Sequence, residues 1–300
     1  MRLVLFLNLT RPVAVAQGVM AGRPEWPLYQ SRLVAPLLIR LLGNDVRAYL
    51  LLIFIALVVG GFLSWNLSGL AGLAIYHAGF AFLLCPLFYP WDSLEPVFFM
   101  AFVSMVAARR SHWWFVALYA VAIFNRQTAQ FMAGWMIVDP VLRWMLGARL
   151  DRKMIASGIS CLIAGAAMIW ILQGRAGLNR IKIGDADVTN YFHYRLVPNL
   201  SDFDIRYGIL RNVGFHVSPL FLFTMVALIL SAIAFLVLRD TGRFLGLSLM
   251  YLAILVALPV FGILSETRVF LDFIPLFVVT VAIDMPPTYR LRSGGNVNGA

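Results

Sequence analysis

The sequence predicts an all-α protein, a polytopic bundle of transmembrane helices, from three observations. Residues 48–67, 154–172, 217–238 and 244–264 are apolar windows without an internal charge, each near the roughly 20 residues that an α-helix needs to cross a 30 Å hydrocarbon core. Hydrophobic residues make up 61% of the chain and charged ones 13%, about half the charged share of a soluble domain. The cations fall in the gaps between apolar runs and form no continuous basic face. The net charge of +10 therefore fits membrane topology and lipid headgroups, not nucleic acid.

The chain opens on Arg2, an apolar run at residues 3–9, and Ala14-Val15-Ala16 before Gln17. This has the outline of a signal peptide, but Arg11-Pro12 fits poorly ahead of a cleavage site, so an uncleaved, imperfect first helix is expected. Pro24 and Pro27 then enforce an irregular segment. Residues 31–42 follow, with Leu33, Leu37, Leu38, Leu41 and Leu42 on one face and Arg32 and Arg40 elsewhere. This is an amphipathic helix too short to span, expected to lie in the interface plane and to end at Asn44-Asp45.

Residues 48–67 and 70–88 are expected to form a helical hairpin turning at Asn66-Leu67-Ser68-Gly69, followed by a short loop at Tyr89-Pro90-Trp91-Asp92. Spans at residues 94–107, 113–124 and 131–146 come next, the last broken at Asp139-Pro140, and then the uninterrupted span 154–172. Residues 173–216 are the long polar stretch, an outer loop to match the one at 21–47. Spans at 217–238, 244–264 and 269–283 complete a helical domain of residues 1–285 with about ten crossings, a count set by span length. The tail 286–300, rich in Gly and Asn, is expected to be disordered and cytoplasmic.

Alternating spans place the cations of the short loops, Arg109/Arg110, residues 143–153, Arg239/Arg243 and Arg290/Arg292, on one side. That side is the cytoplasmic one by the positive-inside rule, which leaves both termini in the cytoplasm of a cell whose inner (plasma) membrane holds the protein. The opposite face gathers Glu25, Asp45, Asp92, Glu95, Asn125, Arg126, Gln127, Glu266 and Arg268. Ionisable groups at membrane depth cost roughly 2.5–3.5 kcal/mol each, so they pair or line a wet cavity.

Three constellations carry chemistry. Asp92 and Glu95 stand three residues apart at a helix start, suited to cation binding, to general-base work or to helix capping, with Asp92 as N-cap and Glu95 as its capping-box partner. Asn125-Arg126-Gln127-Thr128 sets three hydrogen-bonding side chains around a permanent cation that can grip a phosphate bidentately or simply snorkel to the interface. Glu266-Thr267-Arg268 is a third polar break, readable as a surface ion pair. Cys85 and Cys161 sit in apolar spans and fit no disulfide framework, and His77, His112, His193 and His216 lack metal-ligand spacing, so no cofactor or metal is expected.

The interfacial helix, Pro90-Trp91-Asp92, Asn125-Arg126-Gln127-Thr128, and Glu266-Thr267-Arg268-Val269-Phe270 followed by Phe273-Ile274-Pro275-Leu276 together resemble bacterial membrane proteins near the GT-C glycosyltransferase superfamily. The resemblance implies transfer of a sugar from a polyprenyl-phosphate donor at the extracytoplasmic face. It implies a catalytic acid in the first outer loop, where this chain offers Glu25 and Asp45, with Asp92 and Glu95 as further carboxylates. Asn125, Arg126, Gln127, Glu266 and Arg268 would bind substrate. Two other classes stay open: a transporter or flippase for an anionic lipid-linked solute, and a non-catalytic membrane assembly factor.

Overall fold

The computed structural model describes residues 10–24, 27–83, 89–178, 219–261 and 267–284. Every regular element among them is helical: α1 (Thr10–Met20), α2 (Val34–Leu41), α3 (Val46–Leu83), α4 (Glu95–Ala107), α5 (His112–Ala122), α6 (Gln130–Met145), α7 (Arg152–Leu178), α8 (Pro219–Arg239), α9 (Thr241–Phe261) and α10 (Ile274–Asp284). Short 3-10 segments at Pro27–Ser31, Pro90–Ser93, Gln127–Ala129 and Thr267–Phe273 join them.

Four stretches, Val46–Leu83, Arg152–Leu172, Phe221–Arg239 and Thr241–Leu258, are long and apolar enough to cross a membrane, and only 17–39% of each window is buried inside the protein. Their other faces present Phe54, Phe62, Trp170 and Phe223 outward. Exposed apolar surface on that scale suits hydrocarbon surroundings better than water. Their inner faces, with Tyr76, Ile229, Leu247 and Tyr251 fully buried, pack around α4 and α10, where Phe99, Met100, Val103, Leu276 and Val278 are fully buried as well.

The α3 segment is a hairpin, as its sequence predicts. Ser68 and Gly69 leave helical geometry, Gly69 at φ +61°, a region open to glycine without a Cβ penalty. The Tyr76 hydroxyl consequently donates to Ala56 O at 3.4 Å, although 20 residues of straight helix would hold them about 30 Å apart. Gly60 permits the close approach, since a Cβ there would stand 2.0 Å from the Tyr76 hydroxyl.

Several boundaries differ from expectation. The predicted break at Asp139-Pro140 does not occur: α6 runs through Pro140, which is buried. The proline removes one i→i−4 bond, but packing against α7 and α9 keeps the helix intact, as crowded bundles commonly do. The amphipathic helix starts at Val34, because Ser31 closes the 3-10 turn Pro27–Ser31. Its Leu37, Leu41 and Leu42 face outward while Ala35, Pro36 and Ile39 are buried. The α7 helix continues past Gln173 to Leu178, so the first residues of the expected outer loop 173–216 are helical, and the rest of it, like the tail 286–300, lies outside the described residues. The Arg239–Arg243 turn shrinks to Asp240, whose Oδ1 accepts from Arg243 N at 3.1 Å and caps α9. The expected span at 269–283 opens as a 3-10 segment and becomes α-helix at Ile274.

Candidate functional site

The site lies where the starts of α4, α6 and α10 meet the end of α5. On the first wall, Tyr89 and Trp91 stack with centroids 5.2 Å apart and planes 5° from parallel. Asp92 Oδ2 accepts from Tyr89 N at 2.9 Å, so Asp92 reaches back to cap the 3-10 turn. It is a capping residue, but Glu95 is not its capping-box partner, because the Glu95 carboxylate turns the other way.

Glu95 is buried at the first turn of α4. Its Oε2 accepts from Asn125 Nδ2 at 3.0 Å, and its Oε1 accepts from the Thr128 hydroxyl. Asn125 Nδ2 also donates to Trp91 O at 3.1 Å, which ties the start of α4 to the end of α5. The chain reverses sharply here, since Asn125 N and Arg126 N both return to Ala122 O.

The next link is Arg126 Nη1 to Asp272 Oδ1 at 3.5 Å, with the side chains 15% and 1% exposed. Arg126 also lies within electrostatic reach of Glu95, and Asp272 within that of Glu95 and Asp92. A second cation closes the cluster. The Arg32 guanidinium sits 5.0 Å from the Tyr29 ring centroid and 4.7 Å from that of Trp91, a cation–π arrangement in which its charge still acts on Glu95. Leu33 N and Val34 N both donate to Phe124 O, at 2.6 and 3.2 Å. The entry to α2 is thereby fastened to the residue just ahead of Asn125-Arg126.

The structure thus brings together Asp92, Glu95, Asn125 and Arg126. Gln127 stands beside them in the 3-10 turn Gln127–Ala129, with a buried Nε2 that has no partner among the described residues. Asp45 is an exposed helix cap whose Oδ1 accepts from Ala48 N at 2.8 Å. Arg268 belongs to the 3-10 segment Thr267–Phe273, whereas Glu25 and Glu266 lie outside the described residues. Sequence reading missed Asp272, although the signal was present: a lone carboxylate in the apolar run 269–283, the kind of intramembrane charge that seldom lacks a purpose.

The opposite end of the bundle is basic. Arg243 Nη2 donates to Ala107 O at 2.7 Å, joining the α8–α9 turn to the end of α4. Arg109 and Arg110 follow Ala107 directly, and the approach of Gly246 to Asp139 brings the end of α6, ahead of the Arg149–Lys153 turn, to the same end. Among the described residues, no three His, Cys, Asp or Glu side chains come close enough to ligate one ion.

Of the three carboxylates, Asp92 and Glu95 already accept bonds from the chain itself. Asp272 keeps one oxygen, Oδ2, with no hydrogen-bond partner among the described residues, directly beside a guanidinium. That pairing can hold an anion and receive a proton at adjacent positions. No family model, curated protein or solved structure matches the chain.

Proposed function

We propose that the chain is a multi-pass protein of a bacterial inner membrane and transfers a sugar from a polyprenyl-phosphate donor at the outer face, as GT-C glycosyltransferases do. The basic end faces the cytoplasm. The first helix, both arms of α3, and α4 to α10 make ten crossings, which leaves both termini in the cytoplasm. The α2 helix lies in the outer interface with its exposed leucines toward lipid.

One observation carries this reading: a cluster of three buried carboxylates and two partly buried arginines, in the segments that open or close short helices, at the end opposite the basic turns. The α4 helix has 13 residues and α5 has 11, about 20 and 16 Å of helix against a core near 30 Å. Helices that short end below the membrane surface and set the cluster within reach of a lipid headgroup. Arg126 grips the donor phosphate, where low dielectric strengthens charge-assisted bonds. Asp272 Oδ2 is the general base for the acceptor hydroxyl.

The test is the purified chain in liposomes with a polyprenyl-phosphoryl hexose. Arg126→Ala should weaken donor binding, and Arg126→Lys should not restore it, because a point cation lacks the bidentate fork. Asp272→Asn should lower turnover with donor binding retained. A wild-type chain that neither binds nor consumes the donor overturns the assignment.

A further inference from the structure

His77 stands midway along the second arm of α3 and turns outward. It is exposed, and along the same arm Leu70 and Phe82, before and after it, are 69% and 67% exposed. Val46–Leu83 is long and apolar enough to cross a membrane, so in a bilayer the ring meets acyl chains. Histidines at that depth are rare and almost always face a polar partner.

Two contacts fix the ring. Its Nδ1 is 2.9 Å from Leu73 O, and because a carbonyl only accepts, Nδ1 carries the hydrogen. Nε2 of the uncharged ring is then an acceptor, and it makes no hydrogen bond among the described residues. Gly61, on the first arm, lies against the same ring: a Cβ there would stand 2.5 Å from His77 Cε1 and 3.3 Å from Nε2. The lone pair is thus held in one place, on a surface where acyl chains offer no donor.

The surroundings admit another helix. Ala74, Ala78 and Ala81 are exposed on the same arm, and side chains that small let a second backbone approach closely. The docking helix needs a donor level with Nε2, and α7 has one. Ser160 is exposed between Ala156 and Ala164, also exposed, and its hydroxyl has no hydrogen-bond partner among the described residues.

The levels agree. The second arm of α3 runs from Gly69 toward the Tyr89–Trp91 wall of the cluster. The α7 helix runs antiparallel to α6, with Gly158 beside Ile137 and Gly165 beside Gln130, so Arg152 lies at the end away from the cluster, as Gly69 does. His77 follows Gly69 by eight residues and Ser160 follows Arg152 by eight, about 12 Å of helix in each case. A parallel pairing therefore sets Ser160 opposite His77 and Ala164 opposite Ala81. Of the four candidate spans, α7 is the least buried within its own chain, at 17% against 33–39% for the others. Ser231 on α8 is exposed too, but Leu228 and Leu230 beside it are 50% and 43% exposed and hold a second backbone farther off.

We infer that this surface joins two copies of the chain, the second arm of α3 in one docking on α7 of the other, where the Ser160 hydroxyl donates to His77 Nε2. The contact lies outside the Arg126–Asp272 cluster and does not depend on sugar transfer.

The experiment uses the full chain with Cys85→Ser and Cys161→Ser, in phosphatidylglycerol/phosphatidylethanolamine liposomes. Chains carrying Ala81→Cys are mixed with chains carrying Ala164→Cys and oxidised with copper phenanthroline. A disulfide-linked dimer is expected from the mixture and from neither chain alone. No link in the mixture overturns the inference, and so does a link of Ala81→Cys to Ala227→Cys on α8 in its place. Energy transfer between labelled copies, followed as lipid is added, then gives the dissociation constant. His77→Ala should raise it about three- to tenfold, the effect of one interhelical hydrogen bond. Ser160→Ala should do the same, and the double variant should lose no more than either alone. Both side chains are exposed, so each copy keeps its fold. Equal dissociation constants in wild type and His77→Ala, additive losses, or a wild type that stays monomeric at every protein-to-lipid ratio would each defeat the proposal.

Discussion

Arg126 and Asp272 are 146 positions apart in sequence and 3.5 Å apart in space, with the carboxylate almost wholly buried. The pair fastens the α5–α6 turn to the 3-10 segment ahead of α10. It joins a permanent cation to a buried carboxylate whose Oδ2 has no hydrogen-bond partner among the described residues.

Removing one partner should cost more than removing both. Arg126→Ala leaves Asp272 buried and uncompensated, for which a loss of about 3–5 kcal/mol is expected. Arg126→Met combined with Asp272→Leu removes the uncompensated charge and should recover most of it. Thermal unfolding in detergent would show this, and additive losses in the double variant would mean that the two side chains do not act as a pair.

Glu95 is expected to be structural. A Glu95→Gln side chain keeps one acceptor oxygen but turns an amide donor toward either Asn125 Nδ2 or the Thr128 hydroxyl. The Thr128 hydroxyl can rotate to accept the new amide hydrogen while the Asn125 amide keeps the remaining oxygen, so the cost should be about 1–2 kcal/mol, the charge assistance lost at the two bonds. Donor turnover per folded molecule should hold. A variant of full stability with lost turnover would move the base from Asp272 to Glu95.

Orientation can be read by labelling. In a variant with Cys85→Ser and Cys161→Ser, a Ser111→Cys thiol lies in the exposed Arg109–His112 turn. An impermeant maleimide should reach it in inside-out vesicles and fail to do so in intact cells. Labelling from outside would reverse the membrane topology and put the Arg126–Asp272 cluster on the cytoplasmic face.

The contact between α6 and α9 depends on Gly246. A Cβ there would stand 2.5 Å from Asp139 Oδ1 and 3.0 Å from Asp139 Cα, so backbone as well as side chain must shift. Asp139 cannot swing away freely, because its Oδ2 pairs with Arg143 Nε at 2.7 Å. Gly246→Ala should destabilise by about 1–3 kcal/mol, the usual cost of overpacking. An unchanged melting temperature would show that the two helices can separate without loss.

The parts of this protein legible in sequence are those governed by local sums. Hydropathy over some twenty residues determines which segments suit a hydrocarbon core, and it located the long apolar helices. The Ser68-Gly69 turn of α3 was legible for a similar reason, because a glycine free to take positive φ ends a helix within two residues. That the Arg239–Arg243 turn meets the end of α4, next to Arg109 and Arg110, was legible from the alternation of spans.

What tertiary structure decided is which polar groups meet. Asp92 and Glu95, three residues apart, read as partners; packing turned one toward its own 3-10 turn and the other toward Asn125 and Thr128. Pro140 read as a break because local sterics penalise it, and burial between neighbouring helices kept α6 whole. Asp272 was a lone carboxylate in an apolar run, a signal present in the sequence, whereas its pairing with Arg126 had no local pattern to mark it. The significance of that pair comes from the burial that excludes water from the carboxylate, and burial depends on every helix packed around it.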